Sequence, residues 1–290
     1  MGVEQRSTLP GIGTIADSYD GFVFDVWGTV YDGYSIFPGV IDVFKKLRRL
    51  KKRVAFLSNS PQLPRVVASR LEKIGFEAQH YDGIVTSGGE THRQLTVPAA
   101  PGMEAFQGPV FQTGPDRFPD TLPSNVALIA NNIEDADWIL NTGPNLPPET
   151  IEDYEFVLGN AAKRDLPMLC ANPDKAVFQG SERHICAGAI ADRYTALGGS
   201  VRYIGKPHPA VFERCQLMLE IGTASKLLMV GDNLETDILG ANRVGYHSLL
   251  IASGVHALVD CDGSISLSQL DGIEIAAGAQ PNYVIDKLCW

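Results

Sequence analysis

Between residues 20 and 90, short apolar runs that end on polar residues alternate with stretches whose apolar positions recur every three or four residues. The first run, Phe22-Val23-Phe24, leads straight into Asp25 and a Trp27-Gly28-Thr29 turn. A short continuous apolar run of this kind reads as a buried parallel strand. Val40, Val43, Phe44, Leu47 and Leu50 then keep helical spacing, with lysines and arginines between them, which predicts an amphipathic helix. A second strand, Val54-Ala55-Phe56-Leu57, ends at Ser58-Asn59-Ser60-Pro61. A second helix runs through Val66, Val67, Leu71 and Ile74 to a stop at Gly75, a residue suited to ending helices. The strand Gly83-Ile84-Val85 follows and ends at Thr86-Ser87-Gly88-Gly89. This βαβαβ order specifies a parallel sheet with right-handed crossovers. Upstream, residues 1–20 read as a lead-in, with Ile12, Ile15 and Ala16 packing a first helix on the core.

After about residue 95 the pattern changes. Prolines and glycines become dense, and short strands are predicted at Val110-Phe111, Val126-Ala127-Leu128-Ile129 and Trp138-Ile139-Leu140. A helix from about Glu149 to Lys163 leads to a strand at Met168-Leu169-Cys170. This middle part reads as an inserted α/β domain with its own small core. The first pattern is expected to resume at Tyr203-Ile204-Gly205, after a turn at Gly198-Gly199. A helix over about Ala210–Glu220, a strand Leu227-Leu228-Met229-Val230 ending at Gly231-Asp232-Asn233, a further helix, and strands at Ser248-Leu249-Leu250-Ile251 and Tyr283-Val284-Ile285 then complete the sheet. The expected organisation is an α/β core from 1–90 and 204–290, with the insert at 91–203.

Composition narrows the class. With 290 residues, 44% hydrophobic and 20% charged, the chain suits one large globular domain or two ordinary ones. A net charge of −10 with no basic run argues against a nucleic acid or an anionic membrane surface as partner. No apolar run reaches the ~18 residues of a membrane span, and the N-terminus lacks a basic-then-apolar leader pattern. Cys170, Cys186, Cys215, Cys261 and Cys289 are odd in number and scattered, without zinc-type pairing. Reduced thiols in a cytoplasm fit best.

The candidate chemistry sits at strand ends, where open α/β sheets bind their ligands. Asp25 stands at the end of the first strand; a carboxylate there serves as a nucleophile that carries a phosphoryl group, or simply caps the next turn. Gly231-Asp232-Asn233-Leu234-Glu235-Thr236-Asp237 places two carboxylates after a buried strand. Magnesium needs only one or two protein carboxylates; the alternative is an acidic helix start. Lys206, in Gly205-Lys206-Pro207, is either a phosphate partner or a solvated lysine. Ser58 and Asn59 offer a hydroxyl and an amide, or a helix cap.

Taken together, four strand ends supply Asp25, Ser58, Lys206 and Asp232/Asp237 in that order, and this resembles the haloacid dehalogenase superfamily of phosphohydrolases. The resemblance covers essentially the whole chain. Phe56-Leu-Ser-Asn-Ser-Pro61, Ala171-Asn-Pro-Asp174, Gly205-Lys-Pro-His-Pro209 and Gly231-Asp-Asn-Leu-Glu-Thr-Asp-Ile-Leu-Gly240 look like the motifs of its class IIA subgroup. That subgroup inserts an α/β cap between its second and third motifs and includes nitrophenyl-phosphatase-like enzymes and phosphatases of sugar phosphates, phosphoglycolate and pyridoxal phosphate. The resemblance implies a Rossmann-like core and Mg2+-dependent hydrolysis of a small phosphorylated metabolite. It implies Asp25 as nucleophile and magnesium ligand, Asp232 as a second ligand, and the backbone carbonyl at Trp27 as a third. Ser58 would bond the phosphoryl group with Gly28 and Asn59 beside it, Lys206 would neutralise charge, and Asn233 and Asp237 would stand behind these groups, Asp237 orienting Lys206. Asn172 and Asp174 would be substrate contacts from the cap, which would close over the site and exclude water.

One position departs from the family. Its phosphatases carry Asp-x-Asp, and the second Asp protonates the leaving group; here that place holds Trp27. General acid–base catalysis contributes ~10²–10⁴-fold, so good leaving groups such as aryl or acyl phosphates should suffer least. Asp32 and Tyr31 lie close in sequence as substitutes. The indole is expected to wall the site, to stack on a ring-shaped substrate, or simply to pack against the cap. Other residues take plain readings: His208 structural, Trp138 and Trp290 packing, His184 near Cys186 without enough companions for a metal, and Gly11-Ile12-Gly13 without the preceding strand of a dinucleotide site. The expected protein is a phosphatase, monomer or homodimer, with attenuated activity where a proton must be supplied. The alternatives are a non-catalytic protein that binds a phosphorylated metabolite on the same scaffold, and phosphoryl transfer to an acceptor other than water.

Overall fold

A computed structural model describes residues 7–97, 100–125, 128–145, 149–179, 182–260 and 263–290. In chain order its strands are β1 (Ser7–Thr8), β2 (Gly21–Phe24), β3 (Arg53–Ser58), β4 (Gly83–Thr86), β5 (Val110–Thr113), β6 (Trp138–Asn141), β7 (Met168–Cys170), β8 (Ala176–Gln179), β9 (Glu182–Ile185), β10 (Val201–Tyr203), β11 (Leu227–Gly231), β12 (His247–Ile251) and β13 (Tyr283–Ile285). The chain divides into two compact units, one made of 1–58, 67–85 and 206–290, the other of 59–66 and 86–205.

The first unit is built on a seven-stranded sheet in the order β1-β13-β12-β11-β2-β3-β4. β2 pairs in parallel with β3 on one side and β11 on the other. From β2 the chain adds β3 and β4 outward in one direction and β11, β12 and β13 in the other. The β2/β11 boundary is therefore the point where strand order reverses, the crevice in which open α/β sheets place ligands.

The central strands of this sheet form because their cores are apolar: β2, β11 and most of β3 and β12 are buried. The helix Val40–Arg49 turns Val40, Val43, Phe44 and Leu47 onto one face of the sheet and its basic residues outward. Phe44 lies 4.6 Å from Phe24, 5.3 Å from Phe56 and 4.8 Å from Phe76 between ring centroids, within the range of favourable aromatic packing. The lead-in is two short 3-10 turns, Ile12–Thr14 and Ala16–Ser18, with Ile12 and Ala16 buried. At the far end of the chain the Trp290 indole packs on Gly13 and takes Lys46 over its ring.

The second unit has a four-stranded sheet, β10-β7-β6-β5, parallel throughout. Trp138 is fully buried in it and donates its indole N–H to the Gly108 carbonyl. The strand at 201–203 belongs here: Tyr203 pairs with Cys170. The core pattern expected from Tyr203 onward therefore begins only at Lys206. Val126 and Ala127, expected in a strand, lie outside the described residues, but Leu128 and Ala130 exchange backbone hydrogen bonds with Val110. The helix expected from Glu149 begins at Glu155, after a 3-10 turn over Glu152–Tyr154. An antiparallel hairpin of β8 and β9 was not expected; its second strand, Glu-Arg-His-Ile, is exposed or half-buried and carries no apolar run.

Candidate active site

Register brings the first set of predicted residues to one edge of the large sheet. Phe24 stands opposite both Phe56 and Val230, so Asp25, Ser58 and Asp232 all emerge at the same strand ends. The Asp25 N–H donates to the Val230 carbonyl at 2.8 Å, which extends the β2–β11 ladder to the carboxylate itself. Lys206 lies at the start of the segment that leads into the helix Pro209–Leu219. Its ammonium donates to Asp25 Oδ1 and, at 2.6 Å, to Asp237 Oδ1. Lys206 is 2% exposed and Asp237 1% exposed, so both charges are desolvated.

Asp25, Asp232 and Asp237 each offer a carboxylate oxygen within 4.8 Å of the others. Three buried carboxylates meet one buried ammonium, leaving two negative charges uncompensated among these groups. Burial of such charge is costly. It accordingly pushes the Asp25 carboxyl well above the usual carboxylate range, against the pull of Lys206. Asp232 is pushed up to about 7, first by burial and then by Asp237. An all-oxygen, doubly negative cluster is the donor set of a hard divalent cation such as magnesium; the residues fit that ion.

Local structure holds the acids. Asn233 caps the following turn by accepting the Glu235 N–H at 2.8 Å, and donates its own N–H to Asp237 Oδ2 at 3.2 Å. Leu234–Ile238 is a π-helical turn, a rare form that recurs at functional sites. Gly28 has φ +79°, and a Cβ there would lie 2.2 Å from Asp232 Oδ2, so only glycine lets the two motifs approach this closely.

The side chain of Trp27 turns onto its own loop. Its ring meets Tyr31 edge-to-face at 5.1 Å and lies over Gly33, where a Cβ would come within 2.5 Å of it. Of the two nearby candidates for a proton donor, Asp32 accepts the N–H groups of Tyr34 and Ser35 at 2.8 Å each. Those bonds lower its pKa and keep it ionised. Tyr31 is buried, which pushes its phenol up, while a hydrogen bond from Arg70 pulls the other way.

Asn59, Asn172 and Asp174 belong to the second unit and are linked there by hydrogen bonds. Asn59 donates from Nδ2 to Asp174 Oδ1 at 2.8 Å and accepts from Ser87 Oγ at 3.2 Å. Asn172 Oδ1 accepts the Asp174 N–H at 3.0 Å. Ser87 was missed by sequence reasoning, as were Arg70 and the turn Gly254-Val255-His256 that touches the second acidic motif. Ser87 directly follows β4 but carries only a hydroxyl that also suits a helix start, while Arg70 and the Gly254 turn follow no apolar strand directly, so spacing carried no signal for those two.

Comparison with known proteins agrees with this geometry. The profile described as "Haloacid dehalogenase-like hydrolase" matches residues 22–122, and a second, HAD-hydrolase-like, matches 203–289. The two spans together take in well over half of the chain. The protein belongs to the haloacid dehalogenase-like hydrolases. A solved haloacid dehalogenase-like hydrolase from Brucella suis is 29% identical, with a TM-score of 0.81 covering 97% of this chain and all of that one. Human chronophin is 26% identical over 92% of this chain and 90% of its own. The D-glycerol 3-phosphate phosphatase of Mycobacterium tuberculosis is 28% identical over 85% of this chain and 67% of its own. No helix among the described residues is long and apolar enough to cross a membrane.

Proposed function

We propose that this hydrolase is a magnesium-dependent phosphatase of a small phosphorylated metabolite, working through an aspartyl-phosphate on Asp25. The observation that carries the reading is the buried cluster of three carboxylates around one lysine at the point where strand order reverses. The relatives named glycerol phosphate phosphatase support a small phosphate ester as substrate. Structures of the Mycobacterium tuberculosis enzyme in complex with magnesium and with calcium, 26% identical to this chain, support a divalent ion.

In this reading Asp25, Trp27 through its backbone carbonyl, and Asp232 would hold a magnesium ion, which would supply positive charge against the cluster and the phosphoryl oxygens. An oxygen of Asp25 attacks phosphorus, a new P–O bond forms, and the ester oxygen leaves with the bonding electrons. Ser58 donates a hydrogen bond to the transferring group. Lys206, anchored by Asp237, holds Asp25 in place and offsets developing negative charge. Water then cleaves the acyl phosphate, returning Asp25 and releasing phosphate. Gly28 would line the phosphoryl position. We place the reaction in a cytoplasm, where the free thiols of Cys170, Cys186, Cys215 and Cys289 stay reduced.

Trp27 holds no titratable group where the family places its acid, and the indole is packed on Tyr31 and Gly33. The leaving oxygen therefore departs with little help from that position. Turnover of an aryl and an alkyl phosphate by wild type, Asp25→Asn and Trp27→Asp tests the reading. Asp25→Asn should lose turnover by ~10⁴-fold or more, as removal of a nucleophile does. Trp27→Asp should raise alkyl-ester turnover by up to ~10²-fold, the low end of a general-acid contribution. Wild type no faster than Asp25→Asn across a panel of esters would point instead to a protein that binds its phosphorylated ligand without turning it over.

A further inference from the structure

A turn near the end of the chain reaches back to the second acidic motif. After β12, Gly254 approaches Asp232 so closely that a Cβ at this position would lie 2.1 Å from the Asp232 Cβ. The next residue, Val255, donates its N–H to Asp232 Oδ2 at 2.9 Å. The one after, His256, accepts the Leu234 N–H on Nε2 at 3.0 Å.

Leu234 opens the π-helical turn that follows Asp232 and contains Asp237. The first N–H groups of any helical turn have no partner within it and must find one elsewhere. Here the neighbouring amides are satisfied locally: Asn233 N–H by Asp237 and Glu235 N–H by Asn233. The Leu234 N–H turns instead to a side chain 22 positions away in sequence. The Leu234 and Ile238 side chains are fully buried, so the ends of the turn are anchored in the core while its amide edge is held by the histidine.

We propose that His256 is a positioning residue for the metal-binding carboxylates. By accepting the Leu234 N–H it holds the π-helical turn in its wide form and so sets where Asp237 stands relative to Asp232. It touches neither the substrate nor the reacting atoms. A π-turn is rare because tighter helical geometry competes with it, and without its acceptor this segment has an unpaired amide and an alternative winding. Either change moves Asp237, which holds Lys206, and loosens Asp232. The inference rests on the reading of Asp232 as a magnesium ligand.

The test is calorimetric titration of magnesium into full-length wild type, His256→Ala and His256→Gln, alongside the magnesium activation constant for aryl phosphate turnover. Outer partners of metal ligands typically affect affinity by about 10–100-fold, so His256→Ala should bind magnesium about tenfold more weakly or worse. His256→Gln, whose amide oxygen accepts the same N–H, should recover part of the loss. The activation constant should rise in parallel, while KM for the ester moves less. If His256→Ala is too unstable to titrate, His256→Leu, which fills the space without an acceptor, takes its place. Affinity within about twofold of wild type in the acceptor-free variant, well below the expected range, overturns the inference, as does a Gln variant no better than Ala. In those cases wild type still binds magnesium and the proposed function stands; a wild type that binds none overturns both.

Discussion

Both units of this protein end parallel strands on polar residues, yet the two sets of strand ends are built for different purposes. In the second unit the ends of β5 and β6 carry Thr113, Asn141, Thr142 and Gly143, all neutral. Thr113 Oγ1 donates to Asn141 Oδ1 at 3.0 Å, the Gly143 N–H reaches the same oxygen at 3.1 Å, and Asn141 Nδ2 donates to the Ala187 carbonyl at 2.8 Å. Buried polar groups satisfied in this way rigidify a fold without asking anything of a ligand. In the first unit the equivalent edge carries three carboxylates and one ammonium. Hydrogen bonds cannot discharge that imbalance; a cation can. Parallel pairing is shared, and the difference lies in whether the buried charge closes without a ligand.

The contrast breaks most readily at Lys206. Removing its ammonium as Lys206→Met strands Asp25 and Asp237 in buried ground, and losing one partner of a buried pair costs about 3–5 kcal/mol. Chemical denaturation should show a loss of that size, with turnover lost alongside, and saturating magnesium should recover part of the stability. Stability unchanged by Lys206→Met would mean that the cluster is better hydrated than its burial implies.

A smaller effect is expected from the neutral network. Asn141→Ala leaves the Gly143 N–H and the Ala187 carbonyl without their partner, and each unsatisfied group costs about 1–3 kcal/mol. Thermal unfolding should register the loss, while the magnesium affinity of the folded protein stays at the wild-type value. A weakened magnesium affinity would show that the two strand-end clusters are not independent.

A third expectation is a pH dependence with opposite signs in the two states of the charged cluster. Folding without metal raises the pKa of Asp232 to about 7 and that of Asp25 upward as well. Their contribution is present below the unfolded pKa of 3.8 and is lost as pH rises through the folded values. Metal-free protein should therefore lose stability between about pH 4 and about 7 from these groups, and Asp232→Asn should flatten the curve. Magnesium binding requires the ionised carboxylate, so its apparent affinity should climb with pH up to about 7 and level off above. Calorimetry in buffers of different ionisation heat should detect the proton released in that range.

Much of this was legible in the chain itself. The apolar runs ending at Asp25, Ser58 and Asp232 are strands because a parallel strand buried on both faces tolerates little else, and their polar ends stand out against them. The half-exposed hairpin of β8 and β9 went unread because Glu182-Arg183-His184-Ile185 lacks any such run. Val201–Tyr203 lies at the expected boundary of the insert, and only its pairing with Met168–Cys170 shows which sheet it joins.

By itself the sequence determined the strand ends, the order in which their reactive residues arrive, and the tryptophan where the family keeps an acid. These are local properties, written in hydrophobic runs and in the residues that interrupt them. Only the tertiary structure decided how those ends are charged and held. It set the register that makes Asp25 and Asp232 neighbours, the burial that raises their pKa values, and the sharing of Lys206 between Asp25 and Asp237. It also turned the Trp27 indole onto Gly33 and placed His256 on the amide of Leu234. Each of these depends on distance between residues far apart in the chain, and distance is created by packing.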